Sequence, residues 1–278
     1  MRPLPVIATI REAYDFTFAN LGAIIGLIWM PMVLVTVGEF FLAQHYGARV
    51  QEALEAGNPN AAGPAALALF LFALGALALY AMMLTAVTQL ALGQRQGGAM
   101  YHFAFGALEW RVFRNLFGLV LFLLPGYLLL LIGMGRAGTA ATAADGIALL
   151  TVALIVGGLV YFGVRLAGVL LPVVLHEEKQ ALVKSWSLSA GNFWRLLGVF
   201  AGAILPLYFV TMLVVAAVIG DSVPQGTTPT PEQIMAARDA HLPLLSGLSF
   251  LIAPLLIGLV VGASVASWRQ LSKTDISA

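Results

Sequence analysis

The sequence predicts an all-α polytopic membrane protein with six transmembrane helices, and three observations carry this prediction. Hydrophobic residues make up 60% of the 278 residues and charged residues only 10%, whereas soluble domains are usually ~25% charged. The apolar residues occur in long runs, and a helix needs ~20 of them to cross a bilayer. Strands of a lipid-spanning barrel would instead alternate in polarity over ~10 residues, a pattern that this sequence lacks.

Six apolar stretches qualify as membrane-spanning helices and form a single integral membrane domain. They are Leu21–Ala43, Ala65–Leu92, Leu116–Met134, Ile147–Leu175, Leu196–Gly220 and Leu244–Trp268. Pairs of small residues spaced by four positions permit close helix crossing, at Gly22/Gly26, Gly163/Ala167, Gly198/Gly202 and Gly258/Gly262. The chain contains no cysteine, which excludes disulfides, thiolate metal ligands and a cysteine nucleophile.

The distribution of basic residues predicts the orientation, because cytoplasmic loops of membrane proteins are enriched in lysine and arginine. Ten basic residues lie on the side of the spans that contains both termini, and three lie on the other side. Both termini are therefore expected in the cytoplasm. The ten are Arg2, Arg11, Arg95, Arg111, Arg114, Lys179, Lys184, Arg195, Arg269 and Lys273, and the three are Arg49, Arg136 and Arg238.

Prolines in the odd-numbered spans indicate an internal threefold repeat. Pro31, Pro125 and Pro206 each lie 11 residues after a polar residue at the start of the span. A proline removes one backbone hydrogen bond from a helix, so we expect helix kinks at these positions. The alternative is that proline is simply common in membrane helices, and Pro172 and Pro254 in even-numbered spans favour that interpretation.

The segments before the odd-numbered spans carry aromatic and charged residues at helical spacing. We interpret Arg11–Phe18, Tyr101–Phe113 and Gln180–Trp194 as amphipathic helices on the cytoplasmic surface. The chain is thus predicted to contain three units, each with one surface helix and two spans. Indole rings and basic side chains at these span ends are candidate contacts for lipid headgroups, namely Arg111, Arg114, Lys184, Trp186, Trp194 and Arg195.

Arg165 and Glu39 are the two charged residues inside the predicted spans and form a candidate intramembrane polar site. A charged side chain at mid-membrane costs at least ~2.5–3.5 kcal/mol, so it usually faces protein or water. For Arg165 we favour a structural contact to helix carbonyls or a reach to the headgroups, with lysine tolerated, over a substrate contact. Glu39 lies near the outer end of its span, so direct pairing with Arg165 is not expected, and a role in ion or substrate binding stays open.

Between Phe162 and Pro206 the sequence carries a recognisable pattern after an even-numbered span. The pattern consists of Glu177 or Glu178, Ala181-Leu182, Lys184, Ser185, Trp186, Gly191 and Phe193-Trp194-Arg195. It resembles the membrane domain attached to some bacterial glycerophosphodiester phosphodiesterases and found in related six-span inner-membrane proteins. Lys184 stands where arginine is commoner in that family, and the stretch Tyr14–Pro31 is similar in style.

The resemblance implies a bacterial inner membrane but not an enzymatic activity. In the fused proteins the activity belongs to a separate soluble barrel with metal-binding carboxylates and histidines, for which the six spans leave no room. The four histidines of this chain show no metal-ligand spacing, and the sequence has no nucleophile–base pattern. No catalytic residue, metal or cofactor is therefore expected, and the net charge of +1 gives no reason to expect nucleic acid.

Two functions remain open from the sequence. The first is a non-enzymatic inner-membrane protein that associates with membrane lipids, or that supports a membrane complex through a protein partner or a second copy of itself. The alternative is a transporter of a small or lipidic solute through a cavity near Arg165. We favour the first. The three prolines in odd-numbered spans do not indicate a mitochondrial carrier, because the charges that follow such prolines in that family and form a gate are absent here.

Overall fold

A computed structural model of the chain describes residues 3–42, 45–46, 49, 53, 56, 59–95, 105–137, 143–176, 180–220 and 240–275. Within these ranges all regular structure is helical, and six stretches are long and apolar enough to cross a membrane. This confirms the predicted fold class. The helices are α1 (Val6–Ala19), α2 (Leu21–Leu42), α3 (Pro59–Ala91), α4 (Ala107–Ala137), α5 (Ala143–Ala167), α6 (Leu170–His176), α7 (Ala181–Leu188), α8 (Phe193–Gly220) and α9 (Leu242–Asp275).

The third span begins earlier than the apolar run predicts. Helix α4 starts at Ala107 and not at Leu116, because Glu109 caps it. The backbone amide of Gly106 donates to Oε2 of Glu109 at 2.9 Å, the contact that a glutamate at the third helical position makes with the capping residue. The described part of the predicted surface segment Tyr101–Phe113 is therefore continuous with the span, and residues 101–104 lie outside the described residues.

The fourth span consists of two helices, which the sequence analysis treated as one. Helix α5 ends at Ala167 and α6 begins at Leu170. Pro172 has no amide hydrogen for the carbonyl of Gly168, four residues earlier, so the helix cannot continue regularly through this point. A Cβ atom at Gly168 would lie 2.5 Å from the carbonyl oxygen of Val164, so this position needs glycine.

The other predicted kink positions lie inside unbroken helices. Pro31, Pro125 and Pro206 are interior residues of α2, α4 and α8. A bend at each of them stays a prediction. The threefold unit also stays a prediction, because α1 and α7 are separate from the spans that follow them, whereas the corresponding segment of the middle unit is part of α4.

Helix α1 packs lengthwise against α8. A Cβ atom at Gly198 would lie 3.5 Å from Val6, and further along both helices the hydroxyl of Tyr14 donates to the carbonyl of Ala203 at 3.1 Å. Because these contacts follow in the same order, the two helices run parallel. The predicted surface segment Arg11–Phe18 is therefore helical, but one of its faces is buried in the bundle.

Helix α1 also packs against α9, so it lies between α8 and α9. A Cβ atom at Gly262 would lie 3.1 Å from the Cα atom of Ala13, and one at Gly258 would lie 2.7 Å from Thr17. Small residues let two helix backbones approach closely in a membrane protein. Helix α1 therefore packs against the glycine pair of α9 through its buried face, which consists of Thr9, Ala13 and Thr17.

The packed core lies at one end of the bundle. We call the end that contains Pro3, Asn192 and Asp275 the terminal end, and the end that contains Leu42 and Leu242 the loop end. In α9 every residue from Val261 to Ser267 is buried, whereas every residue from Leu242 to Ile252 is half-buried or exposed. Along α9, therefore, the described residues pack tightly toward the terminal end and less tightly toward the loop end.

Arg269 links helices α1, α3 and α9 at the terminal end. Nη1 of Arg269 in α9 lies 3.0 Å from Oε1 of Glu12 in α1, and Nη2 donates to the carbonyl of Ala91 at the end of α3 at 2.6 Å. The side chains of the ion pair are 42% and 40% exposed, so water screens much of their attraction. The bond to the carbonyl satisfies a group that the end of α3 leaves without a helical partner.

Candidate functional site

Arg165 lies at the centre of a buried polar cluster between α5 and α7. Its guanidinium group donates three hydrogen bonds, to the hydroxyl of Tyr161 at 2.9 Å, to the carbonyl of Trp186 at 2.7 Å and to the hydroxyl of Ser189 at 3.3 Å. Only 9% of the residue is exposed. We call these residues, together with Ser185, the Arg165 cluster.

Two serines of the Arg165 cluster hold the end of α5. The hydroxyl of Ser189 donates to the carbonyl of Arg165 at 3.0 Å, and that of Ser185 donates to the carbonyl of Leu166 at 2.8 Å. A helix that ends at Ala167 leaves its last carbonyls without amide partners. The break at Gly168 is therefore stabilised by α7, and Arg165 in turn binds α7 through the carbonyl of Trp186.

Trp186 forms the border between the Arg165 cluster and an apolar groove. The guanidinium carbon of Arg165 lies 3.6 Å from the centre of the Trp186 ring, and the ring stacks on Phe162 with centroids 5.8 Å apart. On its far side the groove, with a volume of about 400 Å³, is lined by residues of α4, α5 and α7. We call it the terminal groove, lined by Gly118, Leu119, Phe122, Phe162, Leu166, Leu182, Val183 and Trp186.

The predicted headgroup contacts occupy different places around the terminal end. Arg114, Trp194 and Arg195 are exposed, and Trp194 is 77% exposed. Arg111 and Lys184 are half-buried. Trp186 is also half-buried and lines the terminal groove.

A second concave site lies at the loop end and contains Glu39. This cavity has a volume of about 610 Å³ and is lined by α2, α8 and α9, with Tyr80 contributed by α3. Hydroxyl groups line much of it, including those of Thr36, Thr211 and Ser246. We call it the loop-end cavity.

The structure does not bring Arg165 and Glu39 together. Glu39 lines the loop-end cavity and Arg165 is enclosed by α5 and α7 near the other end. The partners of Arg165 were missed by sequence reasoning, although a signal existed. Ser185 of α7 and Ser189, the residue that caps the end of α7, are spaced by four positions and therefore face the same side. That side is buried.

Residue types that ligate metal ions are not clustered in the described part of the chain. Across the described ranges, no group of three or more histidine, aspartate or glutamate side chains is placed to hold a metal ion. His176 lies at the end of α6, where its Nδ1 atom is 2.8 Å from the carbonyl oxygen of Pro172 and its ring packs on Trp268. This arrangement is typical of a structural histidine.

No family model matches the chain, and neither a curated protein nor a solved structure matches it. The resemblance to the membrane domain of glycerophosphodiester phosphodiesterases therefore stays a prediction from the stretch Phe162–Pro206. Function has to be argued from the Arg165 cluster, the terminal groove and the loop-end cavity.

Proposed function

We propose that the protein is a non-enzymatic integral protein of a bacterial inner membrane that holds an anionic phospholipid in the terminal groove. The observation that carries this proposal is an apolar groove of about 400 Å³, one wall of which is fixed by the Arg165–Trp186 contact. A preformed apolar groove suits an acyl chain, because binding then costs little ordering of the protein.

Two arginines of α4 lie where the headgroup of a lipid is expected when its acyl chain occupies the terminal groove. Arg111 precedes Gly118 of the groove by seven residues, two turns of α4, so both lie on the same face of that helix. Arg114 is exposed one turn before Gly118. Anionic headgroups attract such cations at the membrane surface, so these two arginines are the proposed headgroup ligands.

Loss of the two arginines is expected to reduce the amount of anionic phospholipid that co-purifies with the protein. Replacing Arg111 and Arg114 by glutamine should lower the ratio of anionic to zwitterionic lipid, measured by lipid mass spectrometry after extraction in mild detergent, by roughly threefold or more, since each surface charge is worth ~1 kcal/mol. Arg11→Gln removes an exposed charge on α1 and is the matched control. Equal retention in both variants would contradict the lipid site.

The orientation that accompanies this proposal is testable because the chain contains no natural cysteine. Gly63→Cys places a thiol in open space toward the loop end, and Ser187→Cys places one on the exposed side of α7. In spheroplasts, a membrane-impermeant maleimide should label only the first of these, because the basic residues predict a cytoplasmic terminal end. Labelling of Ser187→Cys alone would invert the orientation.

Transport of a small or lipidic solute is a second candidate, favoured by the loop-end cavity. From the sequence we predict the transport cavity near Arg165, and this stays a prediction. The loop-end cavity is a different site, since its described lining includes Glu39 but not Arg165. The packed core at the terminal end would have to open for a solute to pass. Solute flux into proteoliposomes would favour this candidate over the lipid-binding protein.

A further inference from the structure

We propose that the loop-end cavity binds a compact organic cation, a substituted ammonium group that carries an apolar portion. This site is separate from the proposed lipid site at the terminal groove and does not depend on it. The proposal rests on the charged group, the aromatic lining and the volume of the cavity.

The charged residue in the lining of the cavity predicts that the ligand is a cation. Glu39 is the one ionisable carboxylate among the described lining residues, and none of them is a lysine, arginine or histidine. A carboxylate only accepts hydrogen bonds and attracts cations. An anionic ligand would meet repulsion from Glu39 with no described cation to offset it.

The aromatic lining favours an organic cation over a metal ion. Phe40, Tyr80 and Tyr208 all line the cavity, and the faces of aromatic rings attract ammonium groups within ~6 Å. Calcium and magnesium ions usually require several oxygen ligands, with carboxylates prominent among them, whereas Glu39 has no second acid beside it among the described lining residues. Threonine and serine hydroxyls in the lining can accept hydrogen bonds from an ammonium group that carries N–H, and the aliphatic lining residues suit the apolar portion of the ligand.

The shape of the cavity defines how much of the ligand it can hold. Its volume of about 610 Å³ lies within the range of roughly 300–1,000 Å³ that small-molecule sites usually have. Met32 and Ala253 line the cavity, and with exposures of 6% and 8% they belong to the packed core. Tyr208 is 56% exposed. The cavity therefore borders the packed core on one side.

The test uses choline and its neutral carbon isostere 3,3-dimethylbutanol as probes. With the purified full chain in detergent, calorimetric titration should show that choline binds at least about tenfold more tightly than the isostere, because Glu39 and the aromatic rings attract the trimethylammonium charge, which the isostere lacks. Glu39→Gln should weaken choline binding by about tenfold while leaving the isostere unchanged. Equal affinity for the two probes, or unchanged choline binding in Glu39→Gln, would overturn the proposal.

Two further variants separate the site from general effects. Asp15→Asn removes the same charge from an exposed position on α1 and should leave choline binding intact. Tyr208→Leu removes an exposed aromatic face without removing a buried contact, so it should fold normally and bind choline less tightly. Loss of choline binding in Asp15→Asn would exclude the cavity as the site. Wild-type affinity for choline in both Tyr208→Leu and Glu39→Gln would also exclude it.

The ammonium group can belong to a free solute or to a lipid headgroup, and the same chemistry serves both. In nanodiscs that contain phosphatidylethanolamine, a lipid source would reduce the apparent choline affinity of the wild-type protein relative to nanodiscs of phosphatidylglycerol alone. Equal choline affinity in the two nanodiscs would assign the site to a free solute. Either result supports the cation site, whereas absence of choline binding in detergent and in both nanodiscs would refute it.

Discussion

Replacing Arg165 by alanine is expected to lower the unfolding free energy of the protein by about 3 kcal/mol, because hydrogen bonds to charged groups are strong and the substitution removes three of them. The carbonyl of Trp186 and the buried hydroxyl of Ser189 would each lose a charged donor, and so would the partly exposed hydroxyl of Tyr161. The Trp186 ring would also lose the cation that lies over it. Thermal unfolding in mild detergent measures the effect, and Arg195→Ala, at an exposed position on α8, is the control.

The structure changes the expectation for lysine at position 165. The sequence analysis expected lysine to be tolerated, since its ammonium group can reach the headgroups. In the structure Arg165 uses Nε, Nη1 and Nη2 at three separate acceptors, and the single ammonium group of lysine cannot reproduce that planar fork. Arg165→Lys should therefore be intermediate in stability. A melting temperature equal to that of the wild type would indicate that the Arg165 cluster contributes little to stability.

Replacing Gly262 by valine is expected to cost about 2–3 kcal/mol of unfolding free energy, the usual penalty for overpacking a core. A Cβ atom at this position would lie 3.1 Å from both the Cα atom and the carbonyl oxygen of Ala13. Because these are backbone atoms, no side chain can turn aside to make room. Helix α1 would have to move away from α9, so limited proteolysis should cut α1 earlier in the variant than in the wild type.

The same helix provides a matched control for Gly262→Val. Gly247 has nothing within 4 Å of the position that a Cβ atom would take. Gly247→Val should therefore change the unfolding free energy by less than about 0.5 kcal/mol, as most surface substitutions do. Equal destabilisation at both positions would mean that the cost comes from valine within the helix and not from the contact with α1.

The spans were predictable because lipid imposes a simple requirement on length and polarity. The ends of the helices were less predictable, because they depend on local contacts that the pattern of apolar residues does not reveal. Helix α4 begins at Ala107 because Glu109 caps it, and the fourth span breaks at Gly168 because Pro172 withholds an amide. Glu109 and Pro172 are both visible in the sequence. A search for long apolar runs averages hydropathy over many residues and therefore does not detect them.

The candidate sites were predictable only in part. Composition alone identified Arg165 and Glu39, because charge is rare in the spans. Their surroundings depend on which helices meet, and sequence spacing within one helix does not supply that information. The position of α1 shows the same limit. Its two-faced pattern predicted a membrane surface on one side but did not predict that the side with Thr9, Ala13 and Thr17 packs in the bundle.

The uneven packing of the bundle has a consequence for the two leaflets of the bilayer. Tightly packed helices resist compression, so we expect the buried stretch of α9 from Val261 to Ser267 to keep its place under lateral pressure. The half-buried or exposed stretch from Leu242 to Ile252 lacks such packing and borders the loop-end cavity. We therefore expect lateral pressure in the leaflet around this cavity to act on the protein more strongly than pressure in the other leaflet. The lipid composition of that leaflet should then affect the width of the loop-end cavity more than the composition of the other leaflet does.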